Sequence, residues 1–184
     1  DYMSTLVVEN LKGPSTGANA NKIIVPSGQT LDASNGLTTP AGHVIQYVPS
    51  TFSTFQTRLQ TTSTSYVTSG YSLTITPKSA TNLILVTYSL SSYNNNSSAY
   101  NYAIVNKSTG GGSNLIETES AVGLGAWHEQ SSMSSHVAGT TSAITYTIYC
   151  RVGAGTGYYG WGSSGGYSSP SQNFNSFHLM EIAQ

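Results

Sequence analysis

Seven carboxylates make up the acid inventory of this chain: Asp1, Glu9, Asp32, Glu117, Glu119, Glu129 and Glu181. Only Glu117 and Glu119 stand two apart within a strand-like stretch, a spacing that places both on one face. Paired carboxylates about 5–9 Å apart could carry glycoside hydrolysis. The same spacing also makes a solvated strand edge that discourages edge-to-edge pairing, and so acid-poor a chain favours that plainer role. Four histidines are present, His43, His128, His136 and His178. His128-Glu129 opens like a zinc-protease motif, but Ser132 stands where the second histidine is required. His128 and His136 share strand parity, opposite Trp127, Met133 and Val137. This predicts outward-facing histidines, either plain surface groups or, in a trimer, a set lining an axis that binds a metal or titrates near pH ~6.5. A Ser-His-Asp triad needs a buried orienting acid, and the only aspartates are Asp1 and Asp32. Cys150 falls on the apolar parity of its strand, as an inert buried thiol would. Gly155-Thr156-Gly157-Tyr158-Tyr159-Gly160 matches GxGxxG, but a dinucleotide site needs a helix starting there, and Trp161-Gly162-Ser163 starts none. No cofactor or metal is implied, and the chain reads as a protein that is not an enzyme.

Binding chemistry is better represented. Tyr158, Tyr159, Trp161 and Tyr167 stand among Gly and Ser in the stretch 153–172. Tyr and Trp supply rigid contact area at small entropy cost, Gly and Ser adapt around them, and aromatic faces suit the apolar faces of sugar rings. Tyr93 and Asn95, in the stretch SSYNNNSS (91–98), could add to such a surface. The competing reading is that these aromatics fold back and plug the end of the domain.

The elements that must position these groups read as strands. Tyr71, Leu73 and Ile75 alternate with Ser72, Thr74 and Thr76, a period of two. Pro77-Lys78-Ser79 breaks the pattern. Leu83-Ile84-Leu85-Val86 then runs without a gap, as a strand covered on both faces would. Together they predict an antiparallel pair. Further strands are expected at His43–Val48, Phe55–Gln60, Tyr66–Thr68, Tyr100–Lys107, Leu115–Glu119, Trp127–Val137, Ala143–Val152 and Phe174–Ile182. In the stretch 143–152 the apolar parity is Ile144, Tyr146, Ile148, Cys150 and Val152. No helix-length segment shows a 3.6-residue period with caps. Many short strands at regular spacing predict an all-β fold, an antiparallel β-sandwich head of jelly-roll type.

Residues 1–46 differ in texture. Their apolar residues, among them Leu6, Val8, Ile24, Leu31 and Leu37, are too sparse to cover one another. They are expected to form an extended arm that packs on copies of itself or on a host assembly, with residues 47–184 forming the head. Composition sets the partners. Only 7% of the 184 residues are charged and the net charge is −1, so no field draws phosphate backbones and nucleic acid is not expected. There is no 18-residue apolar run, so no membrane insertion is expected. One cysteine allows no intrachain disulfide, and the fold must hold by burial.

The stretches MSTLVVENLKG (3–13), IIVPSGQTLDASNG (23–36) and PAGHVIQYV (40–48) resemble virion proteins of marine tailed phages. The stretches TSYVTSGYSLTITPKSATNLILV (64–86) and FHLMEIAQ (177–184) look like the same group. The resemblance spans most of the chain and its motifs are structural. It implies a homotrimeric virion component with a slender N-terminal part and a β-sandwich head, located in the extracellular particle. Its partners would be its own copies and other virion proteins. Two stations fit: a tail-fibre or appendage tip that contacts a host surface glycan, or a capsid decoration protein.

Overall fold

The computed structural model describes residues 14–18, 24, 27–28, 40–50, 59–96, 98–108, 114–121, 128–160 and 175–184. The chain divides into two units, Asp1–Thr38 and Thr39–Gln184. The second begins ahead of the boundary read from texture, because residues 42–46 are already tied to the C-terminus. Gly42 N donates to Ala183 O (2.8 Å) and Ala183 N donates to His43 O (2.9 Å).

Ten strands run through the described part of the second unit: β1 (Val44–Pro49), β2 (Leu59–Thr61), β3 (Val67–Ile75), β4 (Leu83–Asn94), β5 (Tyr100–Lys107), β6 (Asn114–Ala121), β7 (His128–Val137), β8 (Ile144–Val152), β9 (Gly157–Tyr159) and β10 (Ser176–Ile182). No helix occurs among the described residues. The strands form two antiparallel sheets. A six-stranded sheet has the order β1-β10-β4-β9-β2, with β7 paired to the other edge of β4. A four-stranded sheet has the order β3-β8-β5-β6. The described residues thus form an all-β, β-sandwich-like unit. Its one core is built from both sheets, with Ile84, Val86, Tyr88, Leu90, Phe177 and Leu179 on one side. Tyr71, Ile75, Val105, Ile144, Tyr146, Ile148, Cys150 and Val152 lie on the other. Strand β8 buries the parity expected of it. Cys150 is fully buried, and that burial pushes its thiol well above the usual range, as an inert packing group requires.

Three expectations about these strands are corrected. The two pieces Tyr66–Thr68 and Tyr71–Ile75 are one strand. A bulge at Gly70 (φ 81°) joins them, and the register against β8 shifts between Thr68 and Ser72. The strands β3 and β4 are not a hairpin: β3 pairs with β8 in one sheet, while β4 pairs with β10 and β7 in the other. Pro77–Asn82 therefore crosses between sheets. Nor is the Leu83–Val86 run covered on both faces. Ile84 and Val86 are fully buried, while Leu83 and Leu85 are half-buried on the outside.

What holds the crossing is Glu181. It lies on the core parity of β10 with Phe177 and Leu179 and is fully buried. Its Oε1 accepts hydrogen bonds from Lys78 N (2.8 Å), Ser79 N (3.2 Å) and Asn82 Nδ2 (2.6 Å). Its Oε2 accepts from Gln46 Nε2 (2.6 Å). Burial by itself raises the pKa of this carboxyl. The hydrogen bonds from Asn82, Gln46, Lys78 and Ser79 outweigh burial and hold it below the usual carboxylate value.

A carboxylate whose pKa is lower in the fold than in the unfolded chain stabilises the fold at pH above the unfolded value. That contribution is lost as pH falls through the folded value. Replacing Glu181 by Leu takes the acceptor from buried Asn82 Nδ2 and from the backbone N–H groups of Lys78 and Ser79, while Gln46 Nε2 keeps Thr76 O (2.7 Å), and is expected to cost about 1–3 kcal/mol at neutral pH. In urea denaturation the gap between the native protein and Glu181→Leu should narrow as pH is lowered from about 7 to about 2. A gap independent of pH would show that the carboxylate's charge is not what holds the crossing.

Candidate functional site

The end of the unit where β4 runs into β5 and β8 runs into β9 has a polar interior. Ser92, Asn94, Asn101 and Gln130 are all buried there. Such groups are usually paired, and here all four residues are hydrogen-bonded although Asn101 Nδ2 has no partner. Gln130 Nε2 donates to Ser92 Oγ (2.9 Å), and Asn94 Nδ2 donates to Asn101 Oδ1 (3.0 Å) and Ala154 O (3.0 Å). Asn94 Oδ1 accepts from Asn96 N (2.9 Å). The network thus locks the β4–β5 connection to the β8–β9 turn.

The glycines of the GxGxxG match serve this packing. A Cβ on Gly155 (φ +73°) would lie 2.7 Å from Asn94 Oδ1 and from Asn96 Cβ. At Gly157, which faces inward, a Cβ would collide with Val152 and lie 3.0 Å from Asn101 Oδ1. Gly157 begins a strand, β9, so no helix start meets this motif.

The aromatic residues singled out in this region divide. Tyr159 is fully buried in the core, corresponding to the plugging role. Its hydroxyl donates to Arg151 O and accepts from Tyr102 N (3.3 Å). Burial raises its pKa well above the usual tyrosine range. It offers no ring to a ligand, so its assignment to a contact surface is corrected. Tyr158 points the opposite way, onto the outer face of the six-stranded sheet. There it is in register with Tyr93 of β4, and the two rings are 5.6 Å apart with a 42° tilt. Both are half-buried. Asn95 is exposed but engaged: its Oδ1 accepts from Thr156 N (2.8 Å), and its own N donates to Thr156 O (3.1 Å). It positions the turn beside Tyr93 and Tyr158. Trp161 and Tyr167 lie outside the described residues, as do Leu6, Val8, Leu31 and Leu37. Ile24 is described and is exposed.

The histidine expectation on β7 is reversed. Gln130 and the histidines share the inward parity, and Met133 and Val137 point out. His136 Nε2 lies 2.8 Å from Tyr146 Oη, and its Nδ1 lies 2.7 Å from Val137 O. Burial lowers the His136 pKa, opposed by the Val137 carbonyl and assisted by the nearby Lys107 ammonium. Hence His128 and His136 do not line an outer surface. Among the described residues, no three His, Cys, Asp or Glu side chains are grouped to hold a metal ion.

With Met133 and Val137 outward, a surface appears that sequence reading missed. Four strands place their outer residues in rows across the six-stranded sheet. The first row is Val44, Ile182, Leu83 and Val137. The second is Tyr47, Met180, Leu85 and Ser135. The third is Pro49, His178, Thr87 and Met133, and in it His178 Nδ1 lies 2.9 Å from Tyr47 Oη. None of these residues is an acid, a lysine or an arginine. The central residues are half-buried by their neighbours, but Val44 (55%), Tyr47 (51%), Met133 (66%) and Val137 (55%) stand well exposed at the two sides. Contiguous apolar surface of this kind marks an interaction site more often than a free surface. The clue in sequence is the continuous LILV of β4, whose outward half needs cover that the described residues do not supply.

No protein-family model matches the chain, and no curated protein is significantly similar to it.

The division between Tyr158 and Tyr159 is measurable. Tyr159→Ala should lower unfolding free energy by about 3–5 kcal/mol, as a large side chain lost from a core does. Tyr158→Ala should stay within about 1 kcal/mol. Chemical denaturation of the two variants checks this, and equal losses would contradict the placement of Tyr159 alone in the core.

Proposed function

We propose that this chain is a bacteriophage virion structural protein. It acts by assembly and contact rather than by catalysis, as a homotrimer with an N-terminal arm that ends ahead of β1 and a jelly-roll-like head. The observation that carries this reading is the uncharged, largely apolar part of the outer face of the six-stranded sheet, the three rows at the end where β4 begins. Met133 and Val137 extend a contiguous apolar patch, and such a patch suits a subunit that packs against neighbours. The absence of charge along the three rows suits contact with further copies, since no like charges are brought together. The sequence resemblance supports the same reading. Its preferred station is a tail-fibre or appendage tip, with the Tyr93–Tyr158 pair meeting sugar rings of a host surface glycan. The same face would also seal against coat subunits, which is the decoration reading.

Val137→Asp and Met133→Asp place a charge on the face without touching the core. Each should weaken association by about 30-fold or more, that is about 2 kcal/mol, with the circular dichroism of the unit unchanged. Sedimentation at graded concentration reads this. A native protein that stays monomeric, or an assembly indifferent to both charges, would sink the proposal. Copy number per particle separates the two stations, because a fibre tip is rare and a coat cement covers the shell. Binding of the native protein to host cells that Tyr158→Ala abolishes would favour the fibre tip.

A further inference from the structure

The outer face of the four-stranded sheet changes character along its length. At one end hydroxyls pair across strands: Ser72 with Thr147 (2.9 Å) and Thr74 with Thr145 (2.8 Å). At the other end the outward positions become aromatic. Tyr102 of β5 stands opposite Arg151 of β8. The Arg151 guanidinium carbon lies 3.6 Å from the centroid of the Tyr102 ring and 5.1 Å from that of Tyr66. The Tyr100 ring follows at 6.3 Å from Tyr102, tilted by 45°. Tyr100 is 43% exposed, and Tyr66, Tyr102 and Arg151 are half-buried.

A cation stacked on two rings fixes their rotamers, so little conformational freedom remains to be lost on binding. The result is a preset strip of phenol rings and hydroxyls. It lies on the opposite sheet from the Tyr93–Tyr158 pair. We infer that this strip, centred on Tyr100 and Tyr102, is a binding surface for an uncharged saccharide. The apolar C–H faces of a pyranose fit the rings, and sugar hydroxyls both donate to and accept from phenols. Nucleic-acid bases also stack on tyrosine, but the charge disfavours them. The strip offers a single guanidinium, already stacked on Tyr102, and the chain carries net charge −1, so a phosphate backbone would find little to hold it. The inference does not rest on the virion reading, because a lone subunit carries the strip.

The full chain is titrated by calorimetry with three linear neutral hexasaccharides, built of N-acetylglucosamine, of β-1,4-linked glucose and of α-1,4-linked glucose. Saturable binding of at least one is expected. Tyr100→Ala and Tyr102→Leu should each weaken it about tenfold or more, while Tyr158→Ala leaves it unchanged. Thermal melting confirms that the variants fold, and Tyr100, standing outside the core, keeps the test valid if Tyr102→Leu does not. The inference is overturned by no saturable binding up to about 10 mM. It is overturned equally by binding that Tyr100→Ala leaves intact, or by an oligo(dT) probe that binds more tightly than any of the sugars.

Discussion

A buried carboxylate is the costliest group in this unit to place, and the fold is arranged around it. Glu181 sits on the core parity of β10 and is fully buried, and the four groups that bond it are neutral amides rather than a cation. Taking such an ion out of water costs several kcal/mol, recovered only when its lone pairs are filled. The donors come from β1, from the backbone of the β3–β4 connection and from the residue before β4. Filling those lone pairs therefore fixes three segments at once. It places β10 between β1 and β4, and it sets where the chain leaves one sheet for the other. A hairpin between β3 and β4 would take Lys78, Ser79 and Asn82 away from the carboxylate and leave it unpaired.

The same logic explains how polarity is distributed inside and out. At the far end of β4 the interior accepts Ser92, Asn94, Asn101 and Gln130 because they bond one another and the backbone of an adjoining turn, with Asn101 Nδ2 left without a partner. The exterior of the same sheet runs the other way. It is serine-rich where β4 ends and apolar where β4 begins, across the Val44–Ile182–Leu83–Val137 row. The interior is thus partly polar and the exterior of this sheet partly apolar. With few charges, the polar surface is made of hydroxyl and amide groups instead. The Ser and Thr pairs on the four-stranded sheet are part of it.

The aromatic residues follow from strand parity. Tyr158 and Tyr159 are adjacent on a three-residue strand, so one ring enters the core and the other leaves it. Tyr102 and Arg151 face each other because the β5–β8 register pairs them, not because of any nearness in sequence. Each sheet thereby carries aromatic rings on its outer face, separated by the thickness of the core.

The amino-acid sequence by itself determined the all-β class and the position of most strands, because period-two alternation is a local property. Strand β8 was legible down to its buried parity, Cys150 included. The failures have one physical source. On β7, alternation is present in sequence, but which parity goes inward depends on partners far away. His136 finds Tyr146 and Gln130 finds Ser92, so polar groups are buried and Met133 and Val137 are left outside. Strand β9 is three residues long in a Gly-rich stretch and has no periodicity to read. It exists because Ser92–Asn94 offers a free ladder edge. Local pattern states that a segment is a strand and that its two faces differ. Only the tertiary structure decided which neighbour each strand takes and which face meets the core, because long-range pairing and the filling of buried hydrogen-bond groups settle those choices.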